Sequence, residues 1–345
     1  MEILITGGNG FLGRNLILAL QERGDTARVL ALPAENTAWL EERGVQVFRG
    51  DLRDPQVLQA PMQGVDKVVH LAAMMGSWRS TSEYAAVNVT GTENVCRAAL
   101  ANGVRRLVHT SSAMVYNLAC GHPVTENDPL NPLTEPYSTT KAEGDRLVQR
   151  MIAQDHLPAV IIRPGTIFGP GDNLNFGRIA ERVRAHKAIM IGSGKNAVPF
   201  VYVTDVVLGL LLALDHEKAL GQAYNIANDQ PLTQQELLSS IAKEVGGEPP
   251  HIYAPYWPLY TAAYSAERLS NLSKFRIAPF VTRHGVKLYG ADNRISIDKA
   301  RRELGYVPQV SLSEGIRLTA AWYRNRDVPA QEQQTASAPA AVKVN

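Results

Sequence analysis

Short apolar runs rich in β-branched residues alternate with longer helical patterns from residue 1 to about 165, and this alternation limits the possible folds most strongly. The runs are too short for helices, and most of their positions are apolar, as expected of strands buried on both faces of a parallel sheet. Such strands are joined by right-handed crossover helices. The pattern predicts an α/β fold with a doubly wound parallel sheet, with strands at 3–5, 28–32, 45–48, 67–71, 107–110 and 160–162.

After residue 165 the pattern becomes less regular, because glycine, proline and asparagine cluster there. Helices are predicted at 176–186 and 205–214, the second capped by Thr204 and Asp205, and strands at 200–203 and 223–227. The chain is therefore predicted to cross between two lobes. The predicted units are a first domain at 1–165 with a return segment at about 200–228, a smaller C-terminal lobe at 166–199 and 229–326, and a disordered tail at 327–345.

Composition excludes several classes of protein. The 345 residues include 35 Lys and Arg against 33 Asp and Glu, and a net charge of +2 spread along the chain gives no footprint for nucleic acid. Two cysteines cannot form a disulfide framework, and the eight histidines show no metal-ligand spacing. The apolar stretch at 206–214 is too short to span a membrane. We expect a cytoplasmic protein that acts on a small molecule, with no metal.

A glycine-rich turn at 6–13 follows the first predicted strand and leads into a predicted helix at 14–23. Gly7 permits the tight turn, Gly10 lets backbone N–H groups approach a pyrophosphate, and Gly13 allows close packing of the helix on the strand. The helix N-terminus favours the anion. A purely structural turn is the alternative, but the position at the start of the βαβ series predicts a Rossmann-type dinucleotide site.

The end of the second predicted strand usually indicates the cofactor, through an acid for NAD or an arginine for NADP. Here the residues are Ala31, Leu32 and Pro33, so neither signal is present, and Arg28 reads as a surface charge. Because no acid would repel a 2′-phosphate, NADP is slightly favoured over NAD. Asp51 follows the third strand, where it could accept from the adenine amine or cap a helix.

Tyr137 and Lys141 lie four residues apart on a predicted helix at 137–156, so they share a face. A nearby ammonium can stabilise a phenolate and so make a tyrosine useful as an acid or base near neutral pH. The same pair also occurs on ordinary solvated helices. What favours chemistry is the segment 110–116 at the end of the fifth predicted strand, where such sheets place their reactive groups.

The chain resembles the extended short-chain dehydrogenases/reductases in three motifs that occur in the same order. They are the glycine-rich turn TGxxGxxG, the Ser in Ser-Ala-x-Val-Tyr at 112–116 and the YxxxK of Tyr137 and Lys141. The resemblance covers about 1–325. It implies that Ser112, Tyr137 and Lys141 are catalytic, with Lys141 lowering the pKa of Tyr137. It further implies these cofactor contacts: Gly7, Gly10, Phe11, Leu12, Gly13, Asp51, Leu52, Leu71, Ala72, Ala73, Asn88, Thr110, Tyr137, Lys141, Pro164 and Thr166.

Within that family the resemblance favours the branch of 3β-hydroxysteroid dehydrogenases and dihydroflavonol reductases. Nucleotide-sugar enzymes of the family usually have Asn where Thr166 stands and an Arg-Asp pair where this chain has Val198 and Pro199. The aromatic run at 251–260 is either the wall of an apolar pocket or a packed helix entry. The stretch at 294–308 resembles the steroid branch, although similar stretches occur in epimerases.

The function predicted is NAD(P)-dependent interconversion of a secondary alcohol and a ketone on a mainly apolar substrate that is steroid-like, terpenoid or of polyketide type. The alternative is a redox-neutral nucleotide-sugar epimerase or dehydratase with tightly bound NAD. A dinucleotide-sensing binding protein is a third reading, which the complete set of Ser112, Tyr137 and Lys141 disfavours. The resemblance also implies a homodimer formed through helices at 81–102 and 137–156.

Overall fold

A computed structural model describes residues 1–76, 78–273, 276 and 278–326 of the chain. The tail predicted at 327–345 lies outside these residues. Within the described part, no helix has both the length and the apolar character needed to cross a membrane. Cys96 is buried and Cys120 exposed, and neither forms a disulfide.

A seven-stranded parallel sheet forms the centre of the molecule, which confirms the predicted fold class. Its strands have the spatial order β10-β6-β5-β4-β1-β2-β3, which places β4 in the middle with β1 beside it. The strands of the molecule are β1 (Glu2–Thr6), β2 (Thr26–Ala31), β3 (Gln46–Arg49), β4 (Lys67–His70), β5 (Arg106–Thr110), β6 (Ala159–Pro164), β7 (Thr166–Phe168), β8 (Met190–Ile191), β9 (Phe200–Tyr202), β10 (Ala223–Ile226) and β11 (Tyr253–Ala254).

Helices connect these strands and cover the sheet. The α-helices are α1 (Phe11–Glu22), α2 (Ala38–Glu41), α3 (Gln59–Met62), α4 (Thr81–Ala85), α5 (Thr92–Ala101), α6 (Pro136–Asp155), α7 (Phe176–Arg184), α8 (Val203–Asp215), α9 (Gln234–Val245), α10 (Tyr256–Leu272), α11 (Arg283–Gly290), α12 (Asp298–Leu304) and α13 (Leu312–Asn325). Short 3₁₀ turns occur at Pro55–Leu58, Ala113–Val115 and Glu217–Ala219.

Two apolar cores lie on the two faces of the sheet. On one face, helices α1, α8 and α12 pack against strand residues such as Ile3, Ile5 and Val108. On the other, α5 and α6 pack against Leu4, Leu107 and their neighbours. Helix α12 falls within the range 229–326 that was assigned to the smaller lobe, and its buried residues join the first of these cores.

The smaller lobe has its own apolar core, built from α7, α9, α13 and the strands β7, β8 and β9. Phe168 lies at its centre, with the rings of Phe176, Phe200 and Tyr202 between 5.6 and 6.5 Å away. Two pairs of short parallel strands, β7 with β9 and β8 with β11, complete this lobe. The chain enters it after β6 and returns to the sheet through α8 and β10.

The helix predicted at 81–102 is interrupted by a π-helical segment at Ala86–Gly91. Helix α6 crosses there at Gly144, where a Cβ would lie only 2.5 Å from the carbonyl oxygen of Asn88. Two backbones approach closely at this point, and π-helical segments are frequent at functional sites. The interruption brings Asn88 against the helix that carries Tyr137.

The capping prediction for α8 was wrong. The helix begins at Val203, its N-cap residue Tyr202 makes no side-chain capping bond, and Asp205 lies inside the first turn. The Asp205 carboxylate instead accepts N–H bonds from Gln309 and Val310. Burial raises the pKa of Asp205 to about 6.

Candidate active site

The glycine-rich turn connects β1 to α1 and has the geometry of a phosphate cradle. Gly7 has a φ of +71°, and a Cβ there would lie 2.8 Å from the backbone nitrogen of Ala72. A Cβ on Gly13 would lie 2.5 Å from the Gly7 carbonyl oxygen. Helix α1 begins at Phe11, three residues before the predicted start, with Gly10 as an N-cap that offers no side chain. Its first N–H groups therefore lack a side-chain acceptor, which suits a pyrophosphate.

The ends of β2 and β3 lie side by side, with Ala31 opposite Arg49. The Arg49 guanidinium donates to the carbonyl oxygens of Leu32 and Glu35, so it lies across the end of β2. Arg28 points away, toward Glu2, as a surface charge. Arg49 was not among the predicted cofactor residues, because the cofactor prediction rested on the end of β2 alone. The signal for Arg49 was its position at the end of β3, which pairs with the end of β2.

Asp51 and Leu52 follow β3 at the same edge of the sheet as Arg49. Asp51 accepts from the Arg53 backbone and guanidinium, and these bonds hold its pKa below the usual value. The 3₁₀ turn after it is capped by Asp54, so the capping alternative for Asp51 was wrong. Leu52 is buried, and its carbonyl oxygen accepts from Asn94.

The loop after β4 lies over the glycine-rich turn. The backbone N–H of Leu71 donates to the Thr6 carbonyl oxygen, and that of Ala72 to the Thr6 hydroxyl. Ala73 continues this loop, half-buried. Leu71, Ala72 and Ala73 therefore lie next to the glycine-rich turn, and their contacts with a cofactor stay a prediction.

Asn88 fastens this loop to α6. Its side-chain oxygen accepts from the Met74 N–H at 2.8 Å, and its amide donates to the Met74 carbonyl oxygen and to the Thr140 hydroxyl at 3.0 Å. Asn88 is almost fully buried and every polar atom of its side chain is engaged. Its role is to hold the β4 loop and the Tyr137 helix together.

Ser112, Tyr137 and Lys141 meet at the carboxyl end of β5. Ser112 caps the 3₁₀ turn Ala113–Val115, accepting from the Met114 N–H at 3.1 Å, and a hydrogen bond with Ser112 lowers the pKa of Tyr137. Burial outweighs this and raises the Tyr137 pKa to about 12, so the lowering by Lys141 that the resemblance implied is not seen. The Lys141 Nζ donates to the Thr110 carbonyl oxygen at 2.7 Å, and burial lowers the pKa of Lys141 to about 8.

Helix α6 places Tyr137 in its first turn. Glu135 accepts from the N–H groups of Tyr137 and Ser138, and Pro136 occupies the first helical position, where its missing N–H costs nothing. Two turns on, Asp145 forms a fully buried ion pair with Arg163 of β6, with two bonds of 2.8 Å. This pair anchors α6 to the sheet, and sequence reasoning missed it because the partners are on separate elements.

Two buried histidines lie beneath Lys141. The ring of His70 contacts the hydroxyls of Thr6 and Thr92, and the ring of His109 lies 5.3 Å from it. Burial, together with the nearby Lys141 ammonium, lowers the pKa of both, that of His70 to about 3. Both rings are therefore neutral at physiological pH, and Lys141 is the cation of this layer.

Pro164 ends β6 and Thr166 begins β7, so the chain turns into the smaller lobe beside the site. Gly165 permits this turn, because a Cβ there would lie 2.4 Å from the Pro199 carbonyl oxygen. The Thr166 N–H donates to the same oxygen at 2.6 Å. The elements that carry the predicted cofactor residues thus gather at the carboxyl edge of the sheet.

A narrow cleft lies beside Tyr137, between the sheet and the smaller lobe, and the roughly 290 Å³ of space between its walls includes open solvent. Apolar side chains dominate its walls, and His284 and Lys287 from α11 supply most of its polarity. The ring of His284 meets that of Tyr137 edge-on with centroids 6.4 Å apart. The lining residues are Met114, Tyr116, Leu118, Leu133, Ser138, His284, Lys287, Leu288 and Asn293. Sequence reasoning found neither His284 nor Lys287.

The aromatic run at 251–260 does not line this cleft. Tyr256 and Tyr260 stack with centroids 5.9 Å apart and pack around Ala263 and Val286, while Trp257 is 72% exposed. Of the two alternatives, the packed helix entry is the one observed. Within the described residues, no cluster of His, Cys, Asp and Glu could hold a metal ion.

Residues 3–227 match the NAD dependent epimerase/dehydratase family, and the chain belongs to it. The protein is an NAD-dependent dehydrogenase or reductase of the extended short-chain type. It is 37% identical to a 2-alkyl-3-oxoalkanoate reductase of Stenotrophomonas maltophilia, over 93% of this chain and 99% of the relative. It is 33% identical to the mouse (Mus musculus) sterol-4-alpha-carboxylate 3-dehydrogenase, decarboxylating, over 91% and 89%. The solved structure of gox2253 superposes with a TM-score of 0.81 at 29% identity, over 94% of this chain and 98% of that one.

Proposed function

We propose that this protein interconverts a secondary alcohol and a ketone on a mainly apolar substrate, with an exchangeable nicotinamide cofactor. The observation that carries the proposal is the meeting of Ser112, Tyr137 and Lys141 beside an apolar cleft at the carboxyl edge of the sheet. When bound, the nicotinamide would donate or accept the hydride.

In this proposal Tyr137 transfers the alcohol proton. With a pKa raised to about 12, Tyr137 is a protonated phenol at neutral pH, the form that donates a proton to a carbonyl oxygen during reduction. The Ser112 hydroxyl would donate a hydrogen bond to the same oxygen and orient it.

Lys141 would serve both the cofactor and Tyr137. One of its three N–H groups donates to the Thr110 carbonyl oxygen, and the other two remain available to ribose hydroxyls and to groups near Tyr137. Its positive charge would stabilise the phenolate left after proton transfer. The uncapped end of α1 would hold the pyrophosphate, and Asn88 would keep the loop at Ala72 in place.

The proposed cofactor is NADP rather than NAD. No carboxylate follows β2 at Ala31, and the Arg49 guanidinium lies across that strand end, where a 2′-phosphate would meet it. Arg49 also contacts Glu41 at 3.5 Å, so a phosphate would compete with this carboxylate. The preference for NADP over NAD is measured by comparing the Kd of the two cofactors in their reduced forms.

The proposed substrate is an apolar ketone, because Met114, Leu118, Leu133 and Leu288 supply most of the cleft wall. The names of two relatives support this class, and the substrates in those names, an oxoalkanoate and a sterol carboxylate, carry a carboxylate. We also propose a homodimer formed through α5 and α6 and a cytoplasmic location; sedimentation velocity of the purified chain tests the first.

A redox-neutral nucleotide-sugar epimerase is the second candidate, because the matched family is named for epimerases and dehydratases. Against it, the cleft is lined by one lysine and no arginine, whereas the diphosphate of a nucleotide sugar needs several strong donors.

The test is the absorbance of reduced nicotinamide after adding NAD or NADP and a panel of hydroxysteroids, terpenoid alcohols and 3-hydroxy fatty acids. We expect net cofactor reduction that falls roughly 10²- to 10⁴-fold in Tyr137→Phe, which lacks only the proton donor. Tyr264→Phe, an exposed position on α10, is the matched control. No net reduction by the wild type, with NAD that copurifies and resists dialysis, would favour the epimerase.

A further inference from the structure

Helix α11 presents one face to the cleft and the other to the interior of the smaller lobe. Val286 on the inner face packs against Ile191 and Ala263. His284, Lys287 and Leu288 face the cleft. The inner face fixes the helix, so its cleft residues are held in place rather than free to move with a loop.

Lys287 is a half-buried cation with no anion beside it. Its Nζ donates to the Asn117 side-chain oxygen at 2.6 Å, and over the described ranges it forms no ion pair. Burial lowers the pKa of Lys287, and the nearby Cys120 thiol opposes this only in part. A partly desolvated ammonium whose partner is a neutral amide gains most from binding a carboxylate.

The residues that line this cleft also lie next to the proposed catalytic residues Ser112 and Tyr137. Met114 lies two residues beyond Ser112 and Ser138 directly follows Tyr137, while His284 bridges the space between Tyr137 and Lys287. Glu135 lies 3.6 Å from His284 and caps α6, so its charge is already engaged and is not directed at Lys287. The cleft therefore has apolar walls, the Lys287 cation in its lining and the proton donor Tyr137 beside it.

We propose that Lys287 binds the carboxylate of the substrate, which is then an apolar hydroxy or oxo acid whose reacting oxygen faces Ser112 and Tyr137. This proposal rests on the proposed function. It names Lys287 as the residue that makes the enzyme prefer acids to neutral ketones. The Asn117 side-chain oxygen holds the Lys287 ammonium through the bond that it accepts from Nζ.

The test compares 3-hydroxydodecanoate with its methyl ester, in both enantiomers, as substrates for oxidation by NAD or NADP. Lys287→Met keeps the apolar stem and removes the charge. We expect its KM for the acid to rise roughly 10- to 100-fold, with kcat nearly unchanged, because one charge-assisted bond is lost. The KM for the ester should stay within about twofold of the wild type, and Lys287→Arg should largely restore binding of the acid.

Lys243→Met removes an exposed cation of the same lobe and should behave like the wild type with both substrates. Ester turnover also checks that Lys287→Met is folded. Equal losses with acid and ester, or a wild type that does not prefer the acid, would overturn the carboxylate assignment and leave the proposed function intact. Absence of turnover with every alcohol would overturn both.

Discussion

Replacing Lys141 with methionine should stabilise the protein while abolishing its activity. Lys141 is 4% exposed, and burial lowers its pKa from 10.5 to about 8. At about 1.36 kcal/mol per pKa unit, keeping this lysine charged at pH 7 costs about 3 kcal/mol of folding free energy. Methionine fills similar volume without the charge. It leaves the Thr110 carbonyl oxygen without its donor, a loss of about 1 kcal/mol.

The net expectation is a gain of about 2 kcal/mol in the free energy of unfolding at pH 7. The gain must depend on pH, because between pH 8 and 10.5 the unfolded lysine holds a proton that the folded one has released. Over this range the wild type gains stability relative to the variant as pH rises. Above pH 10.5 the electrostatic advantage of the variant is gone.

The assay is urea unfolding of the wild type and Lys141→Met at pH 7 and pH 10, taking the difference between the two proteins at each pH so that other titrating groups cancel. Lys243→Met, at an exposed position, should show no such difference. A Lys141→Met variant that is less stable than the wild type at pH 7, or whose advantage is the same at both pH values, would refute the reasoning.

Two further predictions concern the turn and the helix anchor. Gly13→Ala should weaken cofactor binding at least tenfold in a fluorescence titration with reduced nicotinamide, because the added Cβ would lie 2.5 Å from backbone atoms. Gly285→Ala is the control and should bind the cofactor normally, because its Cβ would meet one side-chain oxygen at 3.4 Å. Arg163→Met should cost about 3–5 kcal/mol in urea unfolding at pH 7, because it leaves the Asp145 carboxylate buried and unpaired. The double variant with Asp145→Leu should recover most of that loss, and a double variant no more stable than the single one would contradict this account.

Local patterns predicted the features whose causes are local. The glycine spacing predicted the turn because each glycine is needed by a contact within the first βα unit or with the next strand. The Tyr137 and Lys141 spacing placed both residues on one face because a helix repeats every 3.6 residues. The strand bounds were right to within a few residues, since a buried run ends where polar residues begin.

The features that were missed depend on residues far apart in the chain. The pattern at Thr204 and Asp205 has the form of a helix cap, but the N–H groups that Asp205 accepts come from residues 309 and 310. Lys287 belongs to the cleft only because α11 packs on the small-lobe core and faces Asn117. No local periodicity encodes such pairings.

Strand β10 completes the sheet by pairing with β6, although β6 ends at Pro164 and β10 begins at Ala223. During synthesis the chain must build much of the smaller lobe before the last strand emerges, so the β6 edge stays open for the time needed to add those residues. Translation at about 5–20 residues per second makes this interval several seconds. An open, apolar strand edge is a template for pairing with other chains. The newly made protein should therefore depend on chaperones more than its finished sheet suggests, and truncations that end between Pro164 and Ala223 should aggregate.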